Sequence, residues 1–142
     1  MSKGIPSQAK KVKALREELG LTQKEVAGRA GLTESAYRAY ELGDRKPKLE
    51  ALEKLAKVFG VKTEYLSTPE FRNQEEFVYA LMDCEDLFGF EPREIDGMAA
   101  IVPDPNAEGD GFEQFLQSWC DARQKLDAQE ITSEEYEKWK RS

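Results

Sequence analysis

Apolar residues recur at spacings of three and four along the first half of the chain, a pattern typical of amphipathic helices. Glycines separate these runs, and residues that favour helix N-caps precede several of them. The predicted helices and their inward residues are 7–20 (Ala9, Val12, Leu15, Leu19), 22–31 (Val26, Ala27, Ala30), 34–42 (Tyr37, Tyr40), 48–59 (Leu49, Leu52, Leu55, Ala56, Phe59) and a short turn at 62–66 that closes the bundle (Val61, Tyr65, Leu66). The pattern therefore predicts a bundle of five helices over residues 1–67.

Residues 70–142 predict a smaller α+β domain that consists of a helix, a β-hairpin and two further helices. The first helix covers 74–88, and the pair Asp96-Gly97 predicts a two-residue turn between strands 92–95 and 98–102. A loop at 103–111 follows, and a capping box of Thr132 and Glu135 begins the last helix, which carries Tyr136 and Trp139. The helix between them, 112–129, has a predicted inward face of Phe112, Phe115, Leu116, Trp119, Cys120, Arg123 and Leu126.

The net charge changes sign at the boundary between the predicted bundle and the predicted α+β domain. Residues 1–69 hold 14 Lys and Arg against 9 Asp and Glu, a net charge of +5, whereas residues 70–142 hold 7 against 19, a net charge of −12. Such an asymmetry suggests that the first half faces nucleic acid and the second half faces something else.

Composition excludes several kinds of chemistry. The chain has no histidine, which removes the commonest general base and zinc ligand, so we expect no enzyme, no catalytic residue, no metal and no cofactor. A Ser-Lys peptidase needs a lysine in the second half, and none lies between Lys62 and Lys125. No stretch approaches 18 apolar residues, so we expect no membrane span, and we expect Cys84 and Cys120 to be reduced, partly buried thiols of a cytoplasmic protein.

Three segments carry a resemblance to a known family. They read GLTQKEVA at 20–27, AGLT at 30–33 and YELGDRKP at 40–47. Together they strongly resemble the Cro/phage-repressor (XRE) family of helix-turn-helix transcriptional regulators, over about residues 10–66. The resemblance implies a lambda-repressor-like bundle that binds double-stranded DNA, with the helix at 34–42 in the major groove.

The resemblance also implies a role for each matched position. Gln23 would grip a phosphate and brace the recognition helix, and Arg16 and Glu41 would form a partly buried ion pair. The groove-facing positions would be Thr33, Glu34, Ser35 and Ala39, and the phosphate-contacting ones Arg45, Lys46 and Lys48.

Some of these positions have two interpretations. Glu34 would accept a hydrogen bond from a cytosine amino group, or it is a charge favoured by the helix macrodipole. Arg38 would reach DNA, or it is a solvated surface charge. Tyr37 and Tyr40 are expected in the core rather than stacked on DNA.

The end of the chain, with Trp119, Arg123, Tyr136 and Trp139, resembles a tail on repressors of this family in low-GC Gram-positive bacteria. We expect both tryptophans to pack in the core, with ligand stacking as the alternative. A lone hairpin is marginally stable, so residues 70–142 are expected to form a homodimer that reads a palindromic operator. A basic protein or a small-molecule effector remains open as a further partner, and an antitoxin with an acidic half that binds a basic toxin is the alternative function.

Overall fold

Helices dominate the described residues, as predicted, and a hairpin interrupts them. The computed structural model describes residues 7–107 and 111–142, so residues 1–6 of the predicted bundle and 108–110 of the predicted loop lie outside the described residues. Contacts divide the chain into a first unit, Met1–Glu70 with Lys140–Ser142, and a second unit, Phe71–Trp139. The elements are α1 Gln8–Glu18, α2 Gln23–Ala30, α3 Glu34–Leu42, α4 Leu49–Phe59, α5 Thr63–Leu66, α6 Gln74–Asp83, α7 Glu85–Phe88, β1 Phe90–Ile95, β2 Met98–Pro103, α8 Phe112–Asp127 and α9 Ser133–Arg141.

Helix caps in the first unit form where the sequence predicts them. Ser7 accepts a hydrogen bond from the Lys10 amide, and Thr22 and Glu25 form a reciprocal capping box with distances of 3.1 and 2.7 Å. Gly31, at φ 64°, ends α2 in the left-handed conformation that residues with a Cβ rarely adopt. These local signals therefore set the lengths and the connection of α2 and α3.

The first unit encloses one apolar core. Its buried residues are Val12, Leu15, Val26, Ala27, Ala30, Tyr37, Tyr40, Leu52, Leu55, Ala56, Phe59 and Leu66. Both tyrosines are buried as predicted, but the prediction that Leu19 and Leu49 point inward is wrong, since both are exposed. Leu19 is the C-cap beyond the last turn of α1 and Leu49 is the first residue of α4, so neither is held on the covered side of its helix.

One lysine of the first unit is buried, which helical periodicity does not predict. The ammonium of Lys11 donates to the carbonyl oxygen of Tyr65 at 3.0 Å and to the hydroxyl of Thr68, and lies 4.5 Å from the centroid of the Tyr65 ring. Burial lowers the pKa of Lys11, while the nearby Glu70 carboxylate opposes that shift. Lys11 thus ties α1 to the segment that follows α5.

The single helix predicted over residues 74–88 is instead two helices that meet at Cys84. Asp83 ends α6, and Glu85 and Asp86 occupy the first turn of α7. Carboxylates are unfavourable at a helix C-terminus and favourable at an N-terminus, which explains why one helix ends and another begins here.

The predicted hairpin is confirmed, with both strands slightly longer than expected. Strands β1 and β2 pair antiparallel, with Ile95 opposite Met98 and Phe90 opposite Pro103. Asp96 and Gly97 have φ of 51° and 78°, the positive values that a two-residue hairpin turn requires. Within the described residues this is a two-stranded sheet.

The inward face predicted for α8 is largely wrong. Phe115, Trp119, Cys120 and Arg123 are exposed, whereas Ala122 is buried. Trp119 is 44% exposed and its indole nitrogen donates to the Tyr136 hydroxyl at 2.8 Å, so its expected core position is also wrong. The apolar spacing is helical, but the described part of this unit contains too little structure to cover that face.

Candidate nucleic-acid interface

Two short helices meet at a tight turn and expose one face of the second. Because Gly31 is left-handed, the chain changes direction between α2 and α3, and Thr33 caps α3 by accepting from the Ala36 amide at 3.1 Å. Thr33, Glu34, Ser35 and Arg38 are exposed, and Ala39 is half-buried. The first turns of α3 therefore present a polar surface to solvent.

A buried carboxylate fixes α3 from beneath. The Glu41 side chain is 4% exposed and accepts hydrogen bonds from the Arg16 guanidinium at 2.5 and 3.2 Å. It also accepts from the Gln23 amide at 2.9 Å and from the Tyr37 hydroxyl at 2.7 Å. Arg16 donates in addition to the Leu21 carbonyl oxygen at 2.9 Å, so one network joins α1, α2 and α3.

This network keeps Glu41 ionised. Burial by itself raises the pKa of a carboxyl, but the hydrogen bonds from Arg16, Gln23 and Tyr37 outweigh it and hold the pKa of Glu41 below its ordinary value. Burial and the neighbouring Glu41 carboxylate raise the pKa of Tyr37 well above its ordinary range. Glu41 therefore stays charged and Tyr37 stays a hydrogen-bond donor at neutral pH.

A second, exposed chain of hydrogen bonds crosses from α2 to the start of α3. The Gln23 oxygen accepts from Arg38 Nε at 3.4 Å, and Arg38 Nη2 lies 3.3 Å from Glu34 Oε1. Gln23 therefore links the buried Glu41 to the surface, and Arg38 offsets the negative charge of Glu34 on the exposed face.

A basic loop lies between α3 and α4. The amides of Asp44 and Arg45 donate to the Ala39 carbonyl oxygen at 3.1 and 3.3 Å, which ties the loop to α3. Arg45, Lys46 and Lys48 are exposed, and the Arg45 guanidinium lies 6.0 Å from the centroid of the Tyr40 ring. Lys48 is the N-cap of α4, and its side chain accepts no hydrogen bond from the first amides of the helix. The start of α4 therefore combines amides that lack a side-chain cap with three nearby basic residues in sequence.

The structure gathers the residues singled out from the sequence into two groups. Gln23, Glu34 and Arg38 form one connected set with Glu41, whereas Arg45, Lys46 and Lys48 remain a separate basic loop. The sequence did not reveal that Gln23 bonds to both Glu41 and Arg38. The spacing of four residues between Glu34 and Arg38 does indicate their ion pair.

These features define a class of protein. Two helices joined by a glycine turn, a polar exposed second helix and a basic loop behind it constitute a helix-turn-helix. The helix-turn-helix family matches this chain at residues 12–66.

The chain is similar to several transcriptional regulators and to one solved DNA-binding domain. The chain is 44% identical over 66 residues to the cryptic phage CTXphi transcriptional repressor RstR of Vibrio cholerae, a match that covers 46% of this chain and 60% of RstR. It is 32% identical over 87 residues to YqaE, an uncharacterized HTH-type transcriptional regulator of Bacillus subtilis, which covers 59% of this chain and 75% of YqaE. Among solved structures, the N-terminal DNA-binding domain of SinR from Bacillus subtilis matches with 27% identity and a TM-score of 0.42, over 44% of this chain and 91% of that domain.

The chain belongs to the helix-turn-helix family of XRE-type transcriptional regulators, which is not a class of enzymes. Its match with RstR spans less than two thirds of that repressor's length. None of the helices that the described residues form is long and apolar enough to cross a membrane.

Proposed function

We propose that this protein is a cytoplasmic, sequence-specific double-stranded DNA-binding transcriptional repressor that reads a palindromic operator as a homodimer. The observation that carries the proposal is the exposed polar face of α3, held rigidly by the Glu41 network. A helix can read base edges only if it is fixed relative to the surfaces that contact the phosphates. The printed name of the relative RstR, a transcriptional repressor, supports the direction of regulation.

The residues divide into those that read bases and those that position the protein. Thr33, Glu34, Ser35 and Ala39 would face the major groove, where the N-terminal residues of a recognition helix reach base edges. Gln23 would contact a phosphate while its side-chain nitrogen, which has two N–H groups, continues to donate one of them to Glu41. The basic loop of Arg45, Lys46 and Lys48 would bind phosphate at the start of α4, where the first amides and the helix dipole favour an anion.

The ion pair between Glu34 and Arg38 should limit the loss of DNA affinity that the Glu34 carboxylate would otherwise cause. An unpaired carboxylate at the groove would repel phosphates, but Arg38, at 3.3 Å, offsets this charge. On meeting DNA, Arg38 can turn to a phosphate and leave Glu34 to accept from a cytosine amino group.

The test is to compare Glu34→Ala with Arg45→Ala on a randomised operator library. Loss of one base contact changes discrimination at that position by about 1–3 kcal/mol, so Glu34→Ala should change the preferred base. Arg45→Ala should weaken all sequences alike and reduce the slope of log affinity against log salt by about 1. Unchanged base preference in Glu34→Ala would remove Glu34 from the reading surface, and an affinity that does not depend on salt would overturn DNA binding through phosphates.

The homodimer contact would come from residues 70–142. In the second unit, large apolar side chains are exposed on α6, α7, both strands and α8. Exposed apolar surface on this scale favours association. A homodimer would present two recognition helices, which have to lie about 34 Å apart to read successive major-groove faces.

A further inference from the structure

We propose that two copies of the chain join edge to edge through strand β2, and that the strands pair antiparallel about a two-fold axis at Ala100. The proposal rests on the homodimer under the proposed function and identifies the surface that forms it. Three observations carry it: the hydrogen-bonding direction along the hairpin, the distribution of charge, and the order of side chains in β2.

The hairpin register shows which backbone groups point away from the sheet. The residues next to a two-residue turn, Ile95 and Met98, form a hydrogen-bonded pair, and antiparallel pairs alternate from there. The pair of Glu94 and Ala99 therefore directs its amides and carbonyls outward. Because Ile101 lies two residues beyond Ala99, its backbone groups also point outward.

The two edges of the hairpin differ at this point. On the β1 edge the outward position opposite Ile101 is Pro92, which has no N–H, so the middle of that edge cannot donate a hydrogen bond. The β2 edge retains the N–H groups of Ala99 and Ile101, and no backbone bond beyond the hairpin ladder engages them among the described residues. Proline thus blocks the β1 edge and leaves β2 able to pair.

Charge favours a second copy along this strand. Residues 70–142 carry a net charge of −12, so most contacts between two copies would bring carboxylates together. Met98 to Pro103 contain no charged residue, whereas β1 contains Glu91, Arg93 and Glu94. Self-association is therefore least opposed along β2.

The side chains of β2 are self-complementary in one register. With Ala100 opposite Ala100 of the second copy, Ala99 lies opposite Ile101 and Met98 opposite Val102, so every pair is apolar. In that register Ala99 and Ile101 exchange both backbone bonds with each other across the axis, which satisfies their outward groups. Pairing would also convert a marginal two-stranded hairpin into a four-stranded sheet and cover Met98, which is 70% exposed.

Cysteine cross-linking tests the register, in a full-length background with Cys84→Ala and Cys120→Ala. Opposite residues of a non-hydrogen-bonded pair have Cα atoms about 4.5 Å apart, within disulfide range, so Ala100→Cys should form a covalent dimer on oxidation. The control is Met98→Cys, which is more exposed but would lie about 14 Å from its own copy at a rise of about 3.4 Å per residue. Equal cross-linking of both variants would overturn the register.

A matched pair of proline variants tests the edge by sedimentation. Ala99→Pro and Glu94→Pro replace residues that lie opposite each other, and both remove an outward N–H while leaving the hairpin ladder intact. Ala99→Pro should raise the dimer dissociation constant about tenfold or more, since hydrogen bonds across the axis are lost, while Glu94→Pro should leave it near the wild-type value. The reverse result would assign the interface to β1 and overturn the proposal.

Two further measurements separate this inference from the proposed function. Added salt should tighten the dimer, because Asp96 approaches Asp104 of the second copy at the ends of the paired strands, whereas salt should weaken binding to duplex DNA of random sequence. A wild-type chain that is monomeric at tens of micromolar would overturn both the edge pairing and the dimer. A chain that cross-links through Ala100→Cys but ignores duplex DNA would overturn the DNA-binding function and leave the edge pairing standing.

Discussion

The two units of this chain bury their apolar residues to very different extents. The first unit places leucines, valines and tyrosines of five helices in one closed core. The second unit, over its described residues, buries Phe90, Ala122 and Tyr136, while Leu87, Met98 and Phe115 are more than 40% exposed. Similar residue types thus form a buried core in the first unit, whereas many of them stay exposed to solvent in the second.

This difference suggests a division of roles. A surface that reads DNA must be rigid in the monomer, because the geometry of α3 has to exist before the groove is met. A surface that holds a dimer can remain open until its partner arrives, because association itself then covers the apolar side chains. We therefore expect the stability of the first unit to depend on internal contacts and that of the second to depend on concentration.

The largest effect is expected from removing a partner of the buried carboxylate. Arg16→Met should lower the free energy of unfolding of the first unit by about 3–5 kcal/mol, because Glu41 would remain buried without its cation. Urea denaturation followed by circular dichroism measures the loss. The control is Lys54→Met, which breaks an exposed pair with Glu50 and should cost about 0.3–0.5 kcal/mol. Similar losses in both variants would show that Glu41 is not desolvated.

Acid should weaken the same network. The pKa of Glu41 is lower in the folded state than in the unfolded chain, where a glutamate titrates near about 4.3. The stabilisation is therefore complete above the unfolded value and is lost as the pH falls through the folded value. Denaturation of the wild type and of Glu41→Gln between neutral pH and pH about 3 should show a smaller loss on acidification in the variant. Parallel curves would contradict this assignment.

A slightly smaller effect is expected from truncating the core. Leu55 is fully buried, so Leu55→Ala should cost about 2–5 kcal/mol through lost apolar contact and a cavity. Leu87 is 72% exposed in the second unit, and Leu87→Ala should change the stability of the dilute protein by less than about 0.5 kcal/mol. Thermal unfolding at low protein concentration compares the two, and an equal loss would mean that Leu87 is covered in solution.

The sequence predicts those parts of the fold that depend on neighbouring residues, and it does not predict those that depend on packing between distant residues. Caps and turns depend on neighbours in the chain, so the Thr22 capping box and the Asp96-Gly97 turn are visible from the sequence. Lys11 is different, because its burial depends on Tyr65 and Thr68, more than fifty residues away. Helical spacing identified α8, but whether Phe115 is covered depends on what packs against it.

In the candidate site, too, local features could be predicted from the sequence, whereas contacts between distant residues could not. The exposed start of α3 follows from the Thr33 cap and from spacing, whereas Arg38, expected to reach DNA or to be a solvated surface charge, forms an ion pair with Glu34. The double role of Gln23 required the structure, since its partners Arg38 and Glu41 lie fifteen and eighteen residues further along the chain.

Protein concentration should affect the stability of the two units differently. Trp119 lies in α8, within the second unit, and Trp139 is the last residue of that unit, so tryptophan fluorescence follows the unfolding of the second unit. If its apolar surface is covered by a second copy, each tenfold rise in protein concentration should add about 1.4 kcal/mol to the dimer's free energy of unfolding and move the fluorescence midpoint to higher urea.

Amide hydrogen exchange supplies the internal control for this measurement. Peptides that cover β2 should gain protection with concentration, because their outward amides become paired, whereas peptides from α2 and α3 should exchange at the same rate throughout. A fluorescence midpoint that does not move would mean that the second unit is stable with its apolar face exposed. The difference in burial between the units would then carry no consequence for assembly, and the spacing of two recognition helices would have to come from DNA itself.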